Sequence, residues 1–248
     1  VRGRLRDRRV AGVLDRPVHL TAAAVALKDL CLDARDPARV ARFWADALGL
    51  TCRPHHRPGV VGVYRQGTPV LWVNPVDQPK IAKNRVHLDL EVPARERLLD
   101  LGAALLAEHD GWSVLADPEG NELCAFPTPP TGPDEPPARP FALCVDSDRP
   151  GELAAWWAAR TGARPGPGPD GVPRWLHGLR WGGFEIIWKF VPVADERVAE
   201  NRLHWDVLAD PDRLAAAGAS VSRRPARDLT WTVLHDPQGN VFCAFPPG

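Results

Sequence analysis

The feature that most constrains this chain is that it carries one pattern twice. LCLDARDPARVARFWADALG at 30–49 returns as LCVDSDRPGELAAWWAARTG at 143–162. Leu30, Cys31, Asp33, Pro37, Trp44 and Gly49 recur as Leu143, Cys144, Asp146, Pro150, Trp157 and Gly162, all 113 residues on. NRVHLDLEV at 84–92 returns as NRLHWDVLA at 201–209, spaced by 117. GWSVLADPEGNELCAFP at 111–127 returns around TWTVLHDPQGNVFCAFP at 230–246, spaced by 119. Three blocks in one order, with slowly growing spacing, mean a duplicated unit with small insertions. The segment between them, TPPTGPDEPPARP at 128–140, is Pro-rich and polar and reads as an extended linker. Two domains are therefore expected, at 27–127 and 141–248. Residues 1–26 open with an Arg-rich stretch of no apolar period, and Asp15, Arg16, Pro17 and His19 interrupt any signal-peptide core. A flexible extension is expected there.

Composition removes several classes of function. Apolar residues at 44% and charged residues at 25% are ordinary for a globular chain. Lys+Arg and Asp+Glu balance at 31 each, so no global basic field exists to draw nucleic acid or an anionic lipid surface. No apolar run reaches the roughly 18 residues of a membrane span. Five cysteines without a CxxC are too sparse for a disulfide scaffold, and a reduced, cytoplasmic setting is expected. Arg outnumbers Lys by 27 to 4, which reads as a coding bias. A small molecule, or another protein chain in a homodimer, is the partner this leaves.

The local pattern is that of an α+β protein. Leu30–Asp33 reads as a strand. Asp36-Pro37 opens a helix with Asp as N-cap, and Gly49 ends it. Strands follow near 60–65 and 69–74, then at 85–92. A helix is expected over Arg95–Glu108, then strands at 113–116 and 122–126 joined by the turn Asp-Pro-Glu-Gly-Asn. Period-two alternation places Val86, Leu88, Leu90 and Val92 on one face of their strand and His87, Asp89 and Glu91 on the other. By the same rule Asp29, Cys31 and Asp33 share a face, as do Glu122, Cys124 and Phe126. The second copy offers Cys144 and Asp146, His204 and Asp206, and Cys243 and Phe245. Each half therefore presents a sheet face bearing His, Cys and carboxylates, either open to solvent or lining a cavity. Trp44, Trp157 and Trp205 fall on apolar faces. Trp72, Trp188, Trp112 and Trp231 lie on strands whose faces the pattern leaves open. The cysteine pairs read best as small core residues.

The ordered blocks DPARVARFWADALG, NRVHLDLEV and DPEGNELCAF resemble the glyoxalase/bleomycin-resistance/extradiol-dioxygenase (vicinal oxygen chelate) superfamily, in its glyoxalase-like subgroup. The resemblance extends over nearly everything after residue 27 and is found twice. It implies paired βαβββ modules whose sheets curve around a cavity, and in many members that cavity holds a divalent metal. Metal-using members place ligands on the first strand of each module and on a last strand. Those positions fall on Asp29 and Ala142, on His87 and His204, and on Cys124 and Cys243. Glu122 lies two residues before Cys124, with Val241 as its counterpart. A metal, if held, is thus expected in the first half on His87, Glu122, Cys124 and Asp29, a mixed set suiting Zn better than Mn and leaving Fe and Ni open.

With the ligand set eroded and the fold kept, the leading expectation is a tandem glyoxalase-like protein. It would bind a small organic molecule through His87, Asp89, Asp33, Glu122, Cys124, Trp72, His204, Asp206, Asp146, Cys243 and Trp188. The rival is a metal-dependent lyase, isomerase or dioxygenase in the first half. A third reading makes the second half a built-in dimer partner. The repeat leaves open whether each cavity lies within one half or is shared between halves.

Overall fold

The computed structural model describes residues 25–227 and 229–247. The extension expected at 1–26 lies outside these residues apart from its last two. Four modules follow one another. The first is β1 (Ala26–Ala34), α1 (Pro37–Leu48), β2 (Thr51–Pro54), β3 (Val61–Arg65) and β4 (Thr68–Pro75). The second is β5 (Val86–Val92), α2 (Arg95–Asp100), β6 (Ala104–His109), β7 (Trp112–Ala116) and β8 (Glu122–Pro127). The third is β9 (Arg139–Ser147), α3 (Pro150–Thr161), β10 (Arg164–Pro167), β11 (Pro173–Trp181) and β12 (Phe184–Pro192). The fourth is β13 (Leu203–Leu208), α4 (Pro211–Ala216), β14 (Ser220–Arg223), β15 (Thr232–His235) and β16 (Val241–Phe245).

Local chemistry accounts for the elements. Asp36 accepts a hydrogen bond from the Arg39 amide, Pro37 opens α1, and Gly49 closes it at φ 63°. Val40, Phe43, Trp44, Ala47 and Leu48 bury one side of that helix. Two expectations fail here. The segment Arg95–Glu108 is not one helix: α2 ends at Asp100, Gly102 stands at φ 102°, and Ala104–His109 pairs with β7 as an edge strand. A left-handed glycine and an N-terminus without a side-chain cap limit α2 to six residues. The stretch before β3 also holds an unanticipated strand, β2, paired Thr51 to Tyr64. Each half thus contributes two βαβββ modules.

The eight-stranded sheets are built across the repeat. Sheet 1 runs β14-β15-β16-β13-β1-β4-β3-β2, from the fourth and first modules. Sheet 2 runs β10-β11-β12-β9-β5-β8-β7-β6, from the third and second. Antiparallel seams join them, β1 to β13 and β5 to β9. The linker turns the chain straight from β8 to β9, with Ala138 bonded to the Ala47 carbonyl at 2.8 Å and Pro136 packed on Gly49. β9 already includes Arg139 and Pro140.

The helix-facing sides of both sheets share one core. Trp157 of α3 packs on Trp188 of sheet 2 (ring centroids 4.7 Å apart) and on Trp205 and Phe242 of sheet 1 (5.6 and 5.1 Å). Trp188 is fully buried there, which corrects its expected place in a binding site: it shares a face with Ile186 and Phe190. The Asp-Pro-x-Gly-Asn turns are structural. Asp117 accepts from the amides of Glu119 and Asn121 and from the Trp44 indole, and Asp236 repeats this with Gln238, Asn240 and Trp157. Asn84 and Asn201 of the NR-x-H blocks bond the side chains of Asn121 and Asn240. No helix among the described residues is long and apolar enough to cross a membrane.

Candidate functional site

On the opposite side of sheet 2 lies a cavity of about 410 Å³. Alternation delivers its residues: His87 and Asp89 from β5, Glu122, Cys124 and Phe126 from β8, Cys144 and Asp146 from β9, and Lys189 from β12. Trp112 and Trp175 wall it from the flanking strands β7 and β11. The expected residues His87, Asp89, Glu122, Cys124 and Asp146 do meet here. Asp33, Trp72, His204, Asp206 and Cys243 do not: they belong to sheet 1.

The centre of the cavity is an ammonium. Lys189 Nζ donates to Asp89 Oδ2 at 2.8 Å, and Cys144 Sγ donates to the same oxygen at 3.1 Å. His87 Nε2 stands 3.5 Å from Asp89 Oδ1. Burial alone would raise the Asp89 carboxyl, but the His87 hydrogen bond and the Lys189 charge outweigh it and hold the group at about 2. Burial, reinforced by Asp89, pushes the Cys124 and Cys144 thiols well up, so both stay protonated. Lys189 also lies over three aromatic faces, Phe141 at 4.5 Å, Trp175 at 5.1 Å and Phe126 at 5.6 Å. Lys80 bonds Glu122 at 2.7 Å and Lys83 bonds Asp146 at 2.8 Å.

Sheet 1 carries the same register with different occupants. Cys31 faces Trp72 across β1 and β4, as Cys144 faces Lys189 across β9 and β12. An indole thus replaces the lysine, and Asp29 stands where the third module has Ala142. The Asp29 and Asp206 carboxylates lie together, 1% and 3% exposed. Asp29 Oδ2 accepts from Lys28 and from the Trp72 indole at 3.1 Å. Cys31 Sγ is 3.5 Å from Asp206 Oδ2, and Cys243 Sγ is 3.8 Å from His204 Nε2. Burial lowers His204 to about 4, so it is neutral, and burial together with Asp29 raises Asp206. Trp72 is packed against His55 and Tyr64. Asp33, further along β1, is raised to about 6 by burial, against the pull of Arg202.

The metal set expected from the resemblance is therefore split. His87, Glu122 and Cys124 face sheet 2 and Asp29 faces sheet 1, because modules pair across the repeat. In sheet 2 Asp89 is already neutralised by Lys189, and Glu122 is held by Lys80 and the Asn84 amide, while His87, Asp89 and Cys144 bring ligand atoms within 4.8 Å of one another. The donors of sheet 1, Cys31, His204 and Asp206, lie within 4.8 Å of one another. Sequence reasoning placed Cys144 on this face but read it as core filler, and it missed Lys189, Lys83 and Trp175. The lysine count could have exposed Lys189: all four lysines of the chain, 28, 80, 83 and 189, end on a carboxylate of one of these two faces.

A family model described as Glyoxalase-like domain matches residues 29–126 and 142–245. The chain belongs to the glyoxalase-like domain family. It is a tandem member of the vicinal oxygen chelate superfamily. Among solved structures, glyoxalase I from Zea mays is similar at 14% identity and TM-score 0.61, over 90% of this chain and 92% of that one. A putative dioxygenase from Bacillus subtilis is similar at 18% identity and TM-score 0.53, over 92% and 87%. At these identities the likeness speaks for the fold alone. A search of curated proteins gave no match. This glyoxalase-like chain thus keeps the family scaffold while its two open faces carry different chemistry.

Proposed function

We propose that the sheet 2 cavity binds a small planar organic molecule bearing an acceptor oxygen, and does so without a metal. The observation that carries this reading is Lys189. Its ammonium has three protons, Asp89 accepts one, and the others face a space walled by aromatic rings. His87 Nδ1 and Trp175 Nε1, in side chains that line the cavity, are buried without hydrogen-bond partners. A cavity of about 410 Å³ falls within the range of small-molecule sites. A flat ring would stack between Trp112, Phe126 and Trp175 while its oxygen takes the Lys189 protons. Sequestration of such a molecule is the activity this supports, in a reducing compartment suited to five free thiols. The rival, a metal-dependent enzyme of the first half, has its expected ligands on two separate sheets.

Tryptophan fluorescence tests the proposal, with 2-naphthoate as a flat anionic probe and naphthalene as its neutral counterpart. Naphthoate should quench saturably and bind at least tenfold tighter, since a hydrogen bond to a charged group contributes about 1.5–3 kcal/mol. Equal affinity for the two probes, or quenching that never saturates, would sink the proposal.

A further inference from the structure

The open face of sheet 2 does not end at the cavity around Lys189. Alternation carries it on toward the other end of the strands. Two residues beyond Asp89 on β5 stands Glu91, two before Lys189 on β12 stands Ile187, and two beyond Trp175 on β11 stands His177. These side chains line a second cleft of about 740 Å³, larger than the first. Phe141 of β9 divides the two: its ring lines the second cleft, and Lys189 lies over it at 4.5 Å. Strand order sets Phe141 and Ile187 in the middle of the cleft and charged groups on either side. On one side Arg139 meets Glu91 at 2.7 Å, and the two charges cancel. On the other, Arg164 of β10 lies directly opposite His177, and no hydrogen bond or ion pair of either is found among the described residues. Glu185, the remaining carboxylate of the cleft, stands in register with Arg180 on the next strand. Gly166 makes room for this arrangement. A Cβ there would lie 2.7 Å from the His177 Nε2 and 2.9 Å from its Cδ2. Gly166 is not in the left-handed region, so the backbone alone does not ask for glycine; the missing side chain lets the imidazole lie along β10, on the face that Arg164 shares.

We infer that this cleft is a second ligand site, for an amphipathic organic anion whose apolar body lies on Phe141 and Ile187 and whose acid group meets Arg164 and His177. A guanidinium takes a carboxylate through two parallel N–H groups, and an imidazole adds a further donor. Residues opposite each other on antiparallel strands have Cα atoms about 5 Å apart, so both side chains reach one acid group. The paired Glu91 and Arg139 bound the far side, where they leave no charge for a second polar group. The volume lies within the range of small-molecule sites. The site stands on its own residues and not on Lys189. The first cavity is walled by flat rings and suits a planar molecule, whereas this cleft has an aliphatic and a single aromatic side chain at its middle and suits an unbranched chain.

Isothermal titration calorimetry of the full chain tests this with octanoate, and with 1-octanol as its uncharged counterpart. Octanoate should bind saturably and about five- to tenfold tighter than octanol, the range for a charge-assisted contact that stays partly in water. Arg164→Met should abolish that preference, and Gly166→Ala should weaken octanoate severalfold by displacing the imidazole. Lys189→Met/Asp89→Leu, which removes the ion pair of the first cavity, should leave octanoate binding unchanged. Octanoate binding with this pattern in a protein that fails to bind 2-naphthoate would sink the reading of the first cavity and uphold the second site. Equal affinity for octanoate and octanol, no saturable binding of octanoate, or a preference that survives Arg164→Met would each overturn the assignment.

Discussion

Replacing Lys189 by Met should strand a buried carboxylate that the wild type neutralises. Asp89 is 4% exposed and would lose an ammonium 2.8 Å away, keeping only the weak Cys144 donor and His87. Breaking a buried pair from one side typically costs about 3–5 kcal/mol. For a domain of about 150–250 residues, each kcal/mol moves Tm by roughly 2–4 °C, so a drop of about 6–20 °C is expected at pH 7. The pH dependence gives a sharper sign. In the wild type the Asp89 carboxyl sits at about 2, below its unfolded value near 4. Its stabilisation is then fully present above pH 4 and is lost as pH falls through that window, about 2–3 kcal/mol in all. Without Lys189, burial raises the folded value above the unfolded one and the sign inverts: acidification should stabilise the variant relative to the wild type. Urea denaturation at pH 7 and pH 5 measures both effects. The double variant Lys189→Met/Asp89→Leu should recover most of the loss, since no charge is then stranded. A single-variant cost under about 1 kcal/mol, or a double variant no better than the single, would refute the electrostatic account.

Two further outcomes follow from packing and topology. In Gly62→Ala the new Cβ would lie 2.7 Å from the Trp72 ring and 2.7 Å from Tyr64, so a loss of about 1–3 kcal/mol is expected by calorimetry, with the near-ultraviolet signal of Trp72 altered. Fragments 25–127 and 139–247 made separately should each fail to give cooperative unfolding, because each contains half of two sheets, and mixing them should restore it. Independent folding of either fragment would contradict the cross-repeat pairing.

Much of this was legible in the sequence, for reasons that can be named. Strict alternation in Val86–Val92 placed His87 and Asp89 opposite Leu88 and Leu90, and the burial of those leucines bears it out. The repeat revealed the modules but not their pairing. β5 and β13 carry nearly the same sequence, so local pattern cannot tell which of them lies beside β1. The structure seats β13 beside β1 and β9 beside β5, and the split of Asp29 from His87 follows. Trp188 was misplaced because IIWKF gives no alternation in polarity except at Lys189. Once that lysine is put on the open face, Trp188 falls into the core. The helix expected beyond Asp100 failed on Gly102, whose positive φ ends α2 and begins an edge strand with Leu105 and Leu106 exposed. Cys144 was read as filler because its hydrogen bond to Asp89 crosses between halves.

The confinement of lysine to the two open faces has a practical side. Arginine does not react with amine-directed acylating reagents, and it makes up most of the basic residues of this chain. The four lysine amines are graded in access, with side-chain exposures of 54% at Lys83, 29% at Lys28, 16% at Lys80 and 12% at Lys189. Acylation of the lysines would therefore begin at Lys83, on the rim of the sheet 2 cavity, and reach Lys189 last. Coupling the protein to a support through its lysines would block the sites it was meant to display. A bound molecule, in turn, should announce itself as protection of Lys189 in a labelling time course read by peptide mass mapping.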